Sequence, residues 1–251
     1  MYAWNLSTQD TAVALEIKNG QPCIVFLGQP GKKNFARRPT CVRLPRRYIA
    51  DQNKIIPKWE FICANEGESG EVKYAELCFR DAVGGLEARS RWETYDGPGA
   101  VTHQLRLDNK TGYTAIIYQP ESLDITLGAD EQMEVTFAYA CPEPLCDRYA
   151  ADLWANPDGG DTGFIPLAAL RAAGMYGVYI GLARNHGRIA IRGVEQGDGI
   201  AAKIKAGLYD DFCTAVNPGE SFEVPMAFIG AYTGDIDGVL SRLDNRIQYN
   251  L

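Results

Sequence analysis

Short segments in which apolar and polar residues alternate recur about every ten residues along this chain, and turn sequences separate them. The segment 86–95 reads LEARSRWETY, and the turn Asp96-Gly97-Pro98-Gly99 follows it directly. Alternation with a period of two residues is typical of a strand with one buried face, and glycine and proline favour the turns between strands. The pattern therefore predicts a protein built from antiparallel strands.

The alternating segments predict roughly 14 strands within one domain over residues 1–251. This is more than a small sandwich holds, so the sequence favours an all-β fold with two large antiparallel sheets and Greek-key links. The clearest strand segments lie at 11–18, 22–27, 71–79, 86–95, 101–107, 113–118, 123–127, 133–140, 177–182, 187–192, 201–206 and 220–232.

Four segments depart from this pattern. Residues 32–59 are rich in lysine, arginine and proline and predict an extended, basic excursion from the sheet. Residues 141–163 contain prolines, glycines and aspartates and predict a long loop, and 167–173 are interpreted as one or two helical turns. Residues 235–246 (DIDGVLSRLDNR) predict a short C-terminal helix, because apolar residues recur at helical spacing after an aspartate.

The charge balance excludes one class of function. The chain has 25 basic and 32 acidic residues and a net charge of −7, whereas a general nucleic-acid binder needs a basic surface. A local basic patch stays possible within this balance. No apolar run approaches the roughly 20 residues of a membrane span, and the N-terminus lacks the pattern of a secretory signal. We therefore expect neither a nucleic acid nor a membrane as partner.

The seven cysteines favour a reduced, cytoplasmic protein. Their number is odd, and Cys23, Cys63, Cys78 and Cys213 lie in or beside apolar strand segments, where free cysteine behaves as a small hydrophobic residue. The spacing of Cys141 and Cys146 does not match a zinc site. We therefore expect no metal and no cofactor.

The sequence offers no catalytic constellation. The chain has two histidines and no G-x-S-x-G motif, so a Ser-His-Asp triad has little support. His103 lies in an alternating strand and shares a face with Val101 and Leu105, which favours a packed side chain. His186 lies in the turn Asn185-His186-Gly187. We assign no catalytic residue.

Aromatic residues in loops are the best candidates for contact with a sugar, because sugar C–H faces pack on aromatic rings. Trp92 lies in an alternating strand, which predicts a core position. Trp59 and Trp154 lie in proline-rich and glycine-rich segments, so they are the candidate substrate-binding residues, together with His103.

Several segments resemble, in order, the N-terminal domain of the α-galactosidases of glycoside hydrolase family 36. They read LEARSRWETYDGPGAVTHQLRLDNKTG, FIPL, GVYIGLARNHGRIAIR and NPGESFEVPMAFIGAYTGDIDGVLSRLDN, and they cover most of residues 75–246. The resemblance implies a large β-supersandwich of the galactose mutarotase-like type. In the family this domain precedes a catalytic (β/α)₈ barrel, which holds the catalytic aspartates.

The resemblance leaves two functions open. In the first, the chain is the non-catalytic N-terminal domain, or a stand-alone relative, of an α-galactosidase-like enzyme of carbohydrate metabolism. It would then complete a galactoside pocket and assemble as a homo-oligomer or with a catalytic barrel, and Trp59 is the nearest equivalent of a loop tryptophan that closes a neighbouring subunit's site. The chain ends at Leu251, where the barrel would begin, which fits a truncated piece or a stand-alone descendant.

In the second function, the chain is a mutarotase-like epimerase or sugar-binding protein, with His103 as acid and a glutamate as base.

Overall fold

A computed structural model describes residues 3–36, 40–128, 133–137, 145–147, 150–154, 167–172, 176–183, 187–196, 199–208 and 211–234. These residues form strands, and no helix occurs among them. The strands are β1 (Ala3–Ser7), β2 (Ala12–Lys18), β3 (Gln21–Gly28), β4 (Thr40–Cys41), β5 (Tyr48–Ala50), β6 (Asn53–Ile55), β7 (Trp59–Ser69), β8 (Val72–Asp81), β9 (Leu86–Tyr95), β10 (Val101–Asn109), β11 (Ala115–Tyr118), β12 (Glu121–Leu127), β13 (Met133–Phe137), β14 (Leu145–Asp147), β15 (Ala150–Trp154), β16 (Leu167–Ala172), β17 (Tyr176–Leu182), β18 (Arg188–Gln196), β19 (Gly199–Gly207), β20 (Cys213–Val216), β21 (Ser221–Glu223) and β22 (Ala227–Thr233).

The strands form four antiparallel sheets. The largest has nine strands in the order β13-β16-β17-β22-β10-β9-β8-β7, with β21 also paired to β10. A five-stranded sheet has the order β12-β19-β18-β15-β14, and two four-stranded sheets have the orders β1-β2-β3-β4 and β20-β11-β5-β6. The prediction of a large antiparallel all-β fold is confirmed.

Alternation along the central strands builds the core. In β9 every second side chain is buried, from Leu86 through Trp92 to Thr94. Apolar residues from all four sheets join one hydrophobic core, among them Leu15, Leu77, Ile117 and Ile204. Burial of such side chains contributes about 1.5–3 kcal/mol each, so the sheets are held together mainly across their inner faces.

The opposite face of β8, β9 and β10 holds a ladder of ion pairs. Arg89 lies between Glu76 and Asp108, with its Nε 2.8 Å from an Asp108 oxygen. Arg106 contacts the other Asp108 oxygen at 2.9 Å and reaches Glu223 on β21 at 3.8 Å. Opposite charges on neighbouring strands stabilise antiparallel pairing, so this face supports the strand order.

Glycines face aromatic rings along the β17–β22 pair. The register places Gly177 opposite Tyr232 and Gly181 opposite Phe228. A Cβ atom added at either glycine would overlap the opposite ring. Tyr179 and Gly230 repeat the arrangement with the roles of the strands exchanged. The three rings belong to a second hydrophobic cluster, separate from the main core. Because glycine has no side chain, the three aromatic rings can occupy the space opposite Gly177, Gly181 and Gly230.

Substitution of Gly181 by alanine is expected to lower the free energy of unfolding by about 1–3 kcal/mol, because the added methyl group overlaps the Phe228 ring. Chemical denaturation measures the loss. Gly112→Ala is the matched control, since no atom of another residue beyond its two chain neighbours lies within 4 Å of the Cβ that it would add. An equal effect of both substitutions would show that the ring contact is not the cause.

Several expectations need correction. Helical turns were expected over 167–173, but Leu167–Ala172 forms strand β16, which pairs with β13 on one side and with β17 on the other. The predicted loop 141–163 contains the short strands β14 and β15. The basic excursion 32–59 contains β4, β5 and β6 and is therefore partly sheet. The predicted helix at 235–246 lies outside the described residues.

The cysteines also differ from the expectation of a fully reduced chain. Cys23 and Cys41 are direct partners across β3 and β4, with Cα atoms 3.9 Å apart, and form a disulfide. Cys63 and Cys78 are direct partners across β7 and β8 and stay as thiols. Burial, and then the neighbouring Cys63, raise the pKa of Cys78 to about 12.

Thiol alkylation at pH 8 is therefore expected to modify the exposed Cys63 and Cys213 well before Cys78. The thiolate is the reactive form, and little of it exists at Cys78 at that pH. Peptide mass spectrometry after timed exposure to iodoacetamide measures the order. Equal rates at Cys63 and Cys78 would contradict it.

Candidate functional site

His103 is buried on the inner face of β10. Its Nε2 atom lies 2.8 Å from the Ser90 hydroxyl, and its ring packs against Trp92 with centroids 4.3 Å apart and planes tilted by 34°. The indole Nε1 of Trp92 donates to the same hydroxyl at 2.9 Å. This cluster fixes the His103 ring within the core, as the alternation of its strand predicts.

Burial also keeps the His103 ring neutral. Removal from water lowers its pKa to about 3. The Nδ1 atom has no hydrogen-bond partner among the described residues. The Ser122 backbone acts against burial and raises the His103 pKa, but burial has the larger effect. A general acid must reach its substrate and hold a proton near neutral pH, and His103 does neither in this conformation.

Trp59 is also a core residue. Its side chain is 7% exposed, and its indole Nε1 donates to the Pro45 carbonyl at 2.9 Å. Trp59 begins β7 at the edge of the nine-stranded sheet, so its ring packs inward from a strand and not from a loop. This burial leaves little of the ring for contact with a sugar, and its predicted ligand role gains no support.

Trp154 is the remaining candidate from the sequence, and His186 is the second histidine of the chain. Trp154 is the last residue of β15, and its backbone pairs with Arg188; its side chain lies outside the description. His186 lies outside the described residues. The predicted contact of Trp154 with a sugar therefore stays a prediction.

A basic cleft lies where the loop between β4 and β5 meets the turn between β11 and β12. Its volume is about 280 Å³. The basic cleft is lined chiefly by Arg43, Arg46, Arg47, Tyr118, Gln119 and Lys205. A second cavity of about 200 Å³ shares Arg47 and Tyr118 with the basic cleft, and Lys54 also lines it.

Carboxylates hold part of the cationic wall in place. Asp124 on β12 accepts a 2.6 Å hydrogen bond from Arg46 and lies 3.9 Å from Arg43. Lys205 on β19 contacts Glu121 at the start of β12. Burial raises the pKa of Glu121, and its ion pair with Lys205 opposes the shift. Four cationic side chains thus meet two carboxylates, which leaves the basic cleft positive on a chain whose net charge is −7.

Arg47 differs from the other cations of the basic cleft. Its guanidinium carbon lies 5.8 Å from the centre of the Tyr118 ring. Among the described residues, no carboxylate lies within ion-pair distance of it. Arg47 can therefore offer all its N–H donors to a ligand.

Sequence reasoning identified the basic excursion but not the basic cleft. Arg43, Arg46, Arg47 and Lys54 belong to that excursion, so its composition was the available signal. The other wall of the basic cleft is formed by Tyr118, Gln119 and Lys205. These residues are far in sequence from the basic excursion and belong to no recognisable sequence motif. Among the described residues, no group of three histidine, cysteine or acidic side chains could hold a metal ion, and no helix could cross a membrane.

No family model matches the sequence, and no curated protein matches it. The fold is similar to that of the α-galactosidase from Lactobacillus brevis, with a TM-score of 0.70, 12% identity, and coverage of 94% of this chain and 40% of that one. It is also similar to the family 36 α-galactosidase AgaA from Geobacillus stearothermophilus, with a TM-score of 0.68, 16% identity, and coverage of 95% and 42%. AgaA variants have been crystallised with raffinose and with stachyose.

A protein that is smaller than the α-galactosidases matches the fold of this chain over nearly its whole length. A galactose mutarotase-like protein from Clostridium acetobutylicum gives a TM-score of 0.55 and 8% identity, and the match covers 93% of this chain and 99% of that one. The chain spans about two fifths of the length of the α-galactosidases that it matches. It therefore has the all-β fold that the resemblance implies, which is shared with part of the α-galactosidases of glycoside hydrolase family 36 and with a galactose mutarotase-like protein.

Proposed function

We propose that this chain is a non-catalytic β-domain related to the N-terminal domain of family 36 α-galactosidases. The observation that supports this most is the fold match, which covers 94% of this chain but 40% of the L. brevis enzyme. A match of this kind fits a domain that accompanies a separate catalytic domain. In the proposal the galactosidase chemistry belongs to a barrel, present as a further domain or as a partner subunit.

The proposed role is to assemble the enzyme and to complete a galactoside pocket. The burial of His103 favours this role over catalysis by the chain itself, because the histidine that an epimerase would need lies in the core. A homo-oligomer is part of the proposal, as is a cytoplasmic location. The free thiols of Cys63, Cys78 and Cys213 favour that compartment, whereas the Cys23–Cys41 disulfide does not.

Activity assays on the purified chain test the proposal. We expect no hydrolysis of nitrophenyl α-galactoside and no acceleration of α-galactose mutarotation, because His103, the acid that the alternative function needs, is buried in the core. Light scattering measures the oligomeric state, for which we expect more than one copy.

Turnover that His103→Ala abolishes would contradict the proposal and favour the mutarotase-like alternative, for which the C. acetobutylicum fold match is the specific support. Far-ultraviolet circular dichroism of His103→Ala serves as the control, since loss of the buried ring could unfold the chain. Tight galactose binding without turnover would instead favour a sugar-binding protein.

A further inference from the structure

The charge of the basic cleft is opposite to that of the chain. The molecule has a net charge of −7, and yet Arg43, Arg46, Arg47 and Lys205 converge on one cavity of about 280 Å³. Like charges brought together repel one another unless something compensates them. Two carboxylates compensate part of this charge, and the rest is open to a ligand.

The two carboxylates also orient the cations. Asp124 is buried, with 2% of its side chain exposed, and it fixes the Arg46 guanidinium through a 2.6 Å contact. Glu121, which lies on the same strand as Asp124, holds Lys205 in place through an ion pair. Side chains held by such partners lose less conformational entropy when a ligand arrives.

Arg47 completes the arrangement as the cation without a carboxylate partner among the described residues. It lines both the basic cleft and the second cavity, which Lys54 also lines. A guanidinium presents a planar fork of donors that matches the two oxygens of a carboxylate or a phosphate.

The backbone of the cleft wall is strained at one point. Gln119 has a φ of 46°, in the left-handed region that glutamine seldom adopts. The turn is held by a hydrogen bond of 3.1 Å from the Gln119 amide to the Phe212 carbonyl. This conformation keeps Gln119 on the wall of the basic cleft, and such strain is frequent at binding sites.

We propose that the basic cleft binds a small ligand through an oxyanion, either a carboxylate or a phosphate group, and that Arg47 is its principal contact. The proposal goes beyond the assembly role and does not depend on it. An acidic sugar, whether a uronic acid or a sugar phosphate, supplies this chemistry in a size that the cavity accepts.

Calorimetric titration of the full chain at low ionic strength tests the proposal. The probes are galacturonate, galactose 1-phosphate and inorganic phosphate, with neutral galactose as the reference. We expect at least one of the anions to bind at about millimolar concentration or below, and more tightly than galactose. Galacturonate and galactose 1-phosphate distinguish a carboxylate site from a phosphate site.

Arg47→Met is the decisive variant, because it keeps an unbranched apolar stem and removes the charge. We expect it to weaken anion binding about tenfold or more. Lys110→Gln is the matched control, since it removes one exposed positive charge elsewhere and should leave the affinity nearly unchanged. Both variants are expected to keep the melting temperature of the parent chain.

Three outcomes would overturn the proposal. They are no binding of any anion at about 10 mM, galactose binding as tight as that of the anions, and an equal loss of affinity in Arg47→Met and Lys110→Gln. If no small anion binds, an acidic segment of a protein partner would be the better candidate for the basic cleft. Galactosidase or mutarotase turnover would bear on the proposed function alone, so the two proposals can fail separately.

Discussion

Replacement of Asp81 by alanine is expected to lower the free energy of unfolding by about 3–5 kcal/mol, because four neutral donors lose their acceptor. Asp81 is 1% exposed at the end of β8. One of its oxygens accepts from the Tyr48 hydroxyl at 2.7 Å and from the Gly84 amide at 2.9 Å. The other accepts from the amides of Lys58 and Val83 at 2.7 and 3.0 Å.

Loss of these acceptors leaves the buried Tyr48 hydroxyl and three partly buried amides without partners, and a fully buried donor without a partner costs about 1–3 kcal/mol. The carboxylate joins the β8–β9 turn to β5 and to the chain before β7, so its removal loosens three elements at once. Burial, and then the hydrogen bond to Asp81, raise the pKa of Tyr48, so the tyrosine stays a donor at all ordinary pH values.

Urea denaturation measures the effect. Asp81→Asn should give an intermediate loss. The asparagine oxygen can still accept from two of the donors, but its NH₂ group then replaces the other oxygen, for example the one that faces the Tyr48 hydroxyl and the Gly84 amide. Asp96→Ala is the control: Asp96 is exposed and 3.3 Å from Lys73, and exposed ion pairs contribute about 0–1 kcal/mol. A loss below about 1 kcal/mol in Asp81→Ala would refute the role assigned to Asp81.

Acidification is expected to destabilise the protein through His103. Its pKa is about 3 in the folded chain and about 6.5 in the unfolded chain, so the unfolded state binds the proton first as the pH falls. The stability from the neutral buried ring is complete above about pH 6.5 and declines below it by up to about 1.4 kcal/mol per pH unit. By about pH 4.5 the contribution of His103 amounts to a loss of about 2–3 kcal/mol.

Denaturation at a series of pH values, with parent and His103→Gln compared, isolates this contribution. The variant has no group that titrates at residue 103, so its stability should fall less steeply between about pH 6.5 and pH 4.5. Its stability at pH 7.5 will be lower because the contacts with Ser90 and Trp92 change. The informative quantity is therefore the slope, and identical slopes in the two proteins would contradict the prediction.

The parts of the fold that the sequence predicts well are strands with one buried face. β9 alternates over its full length, and its predicted and observed bounds agree. β7 was missed because it is an edge strand exposed on most of its length, so its sequence WEFICANEGES has no regular alternation. The sequence LAALRA has high helix propensity and predicts helical turns, but pairing on both sides of β16 overrides that preference.

The candidate site was predicted less well, for a physical reason. Trp59 was placed in a loop by its proline-rich neighbourhood, whereas the start of β7 turns its ring into the core. The basic cleft depends on Arg47, Tyr118 and Lys205 meeting across three separate segments. Local composition indicates the cations, but only tertiary structure brings the second wall to them.

The position of β22 in the nine-stranded sheet has a consequence for synthesis of the chain. β22 lies between β10 and β17, more than a hundred residues after β10 in the sequence. The meander β7–β10 can form while the chain is still growing, but β10 and β17 then each present an unpaired edge. Such edges can pair with other chains, so a chain that terminates before residue 227 would be prone to aggregation. We therefore expect slow translation across 110–226 to lower the yield of folded protein.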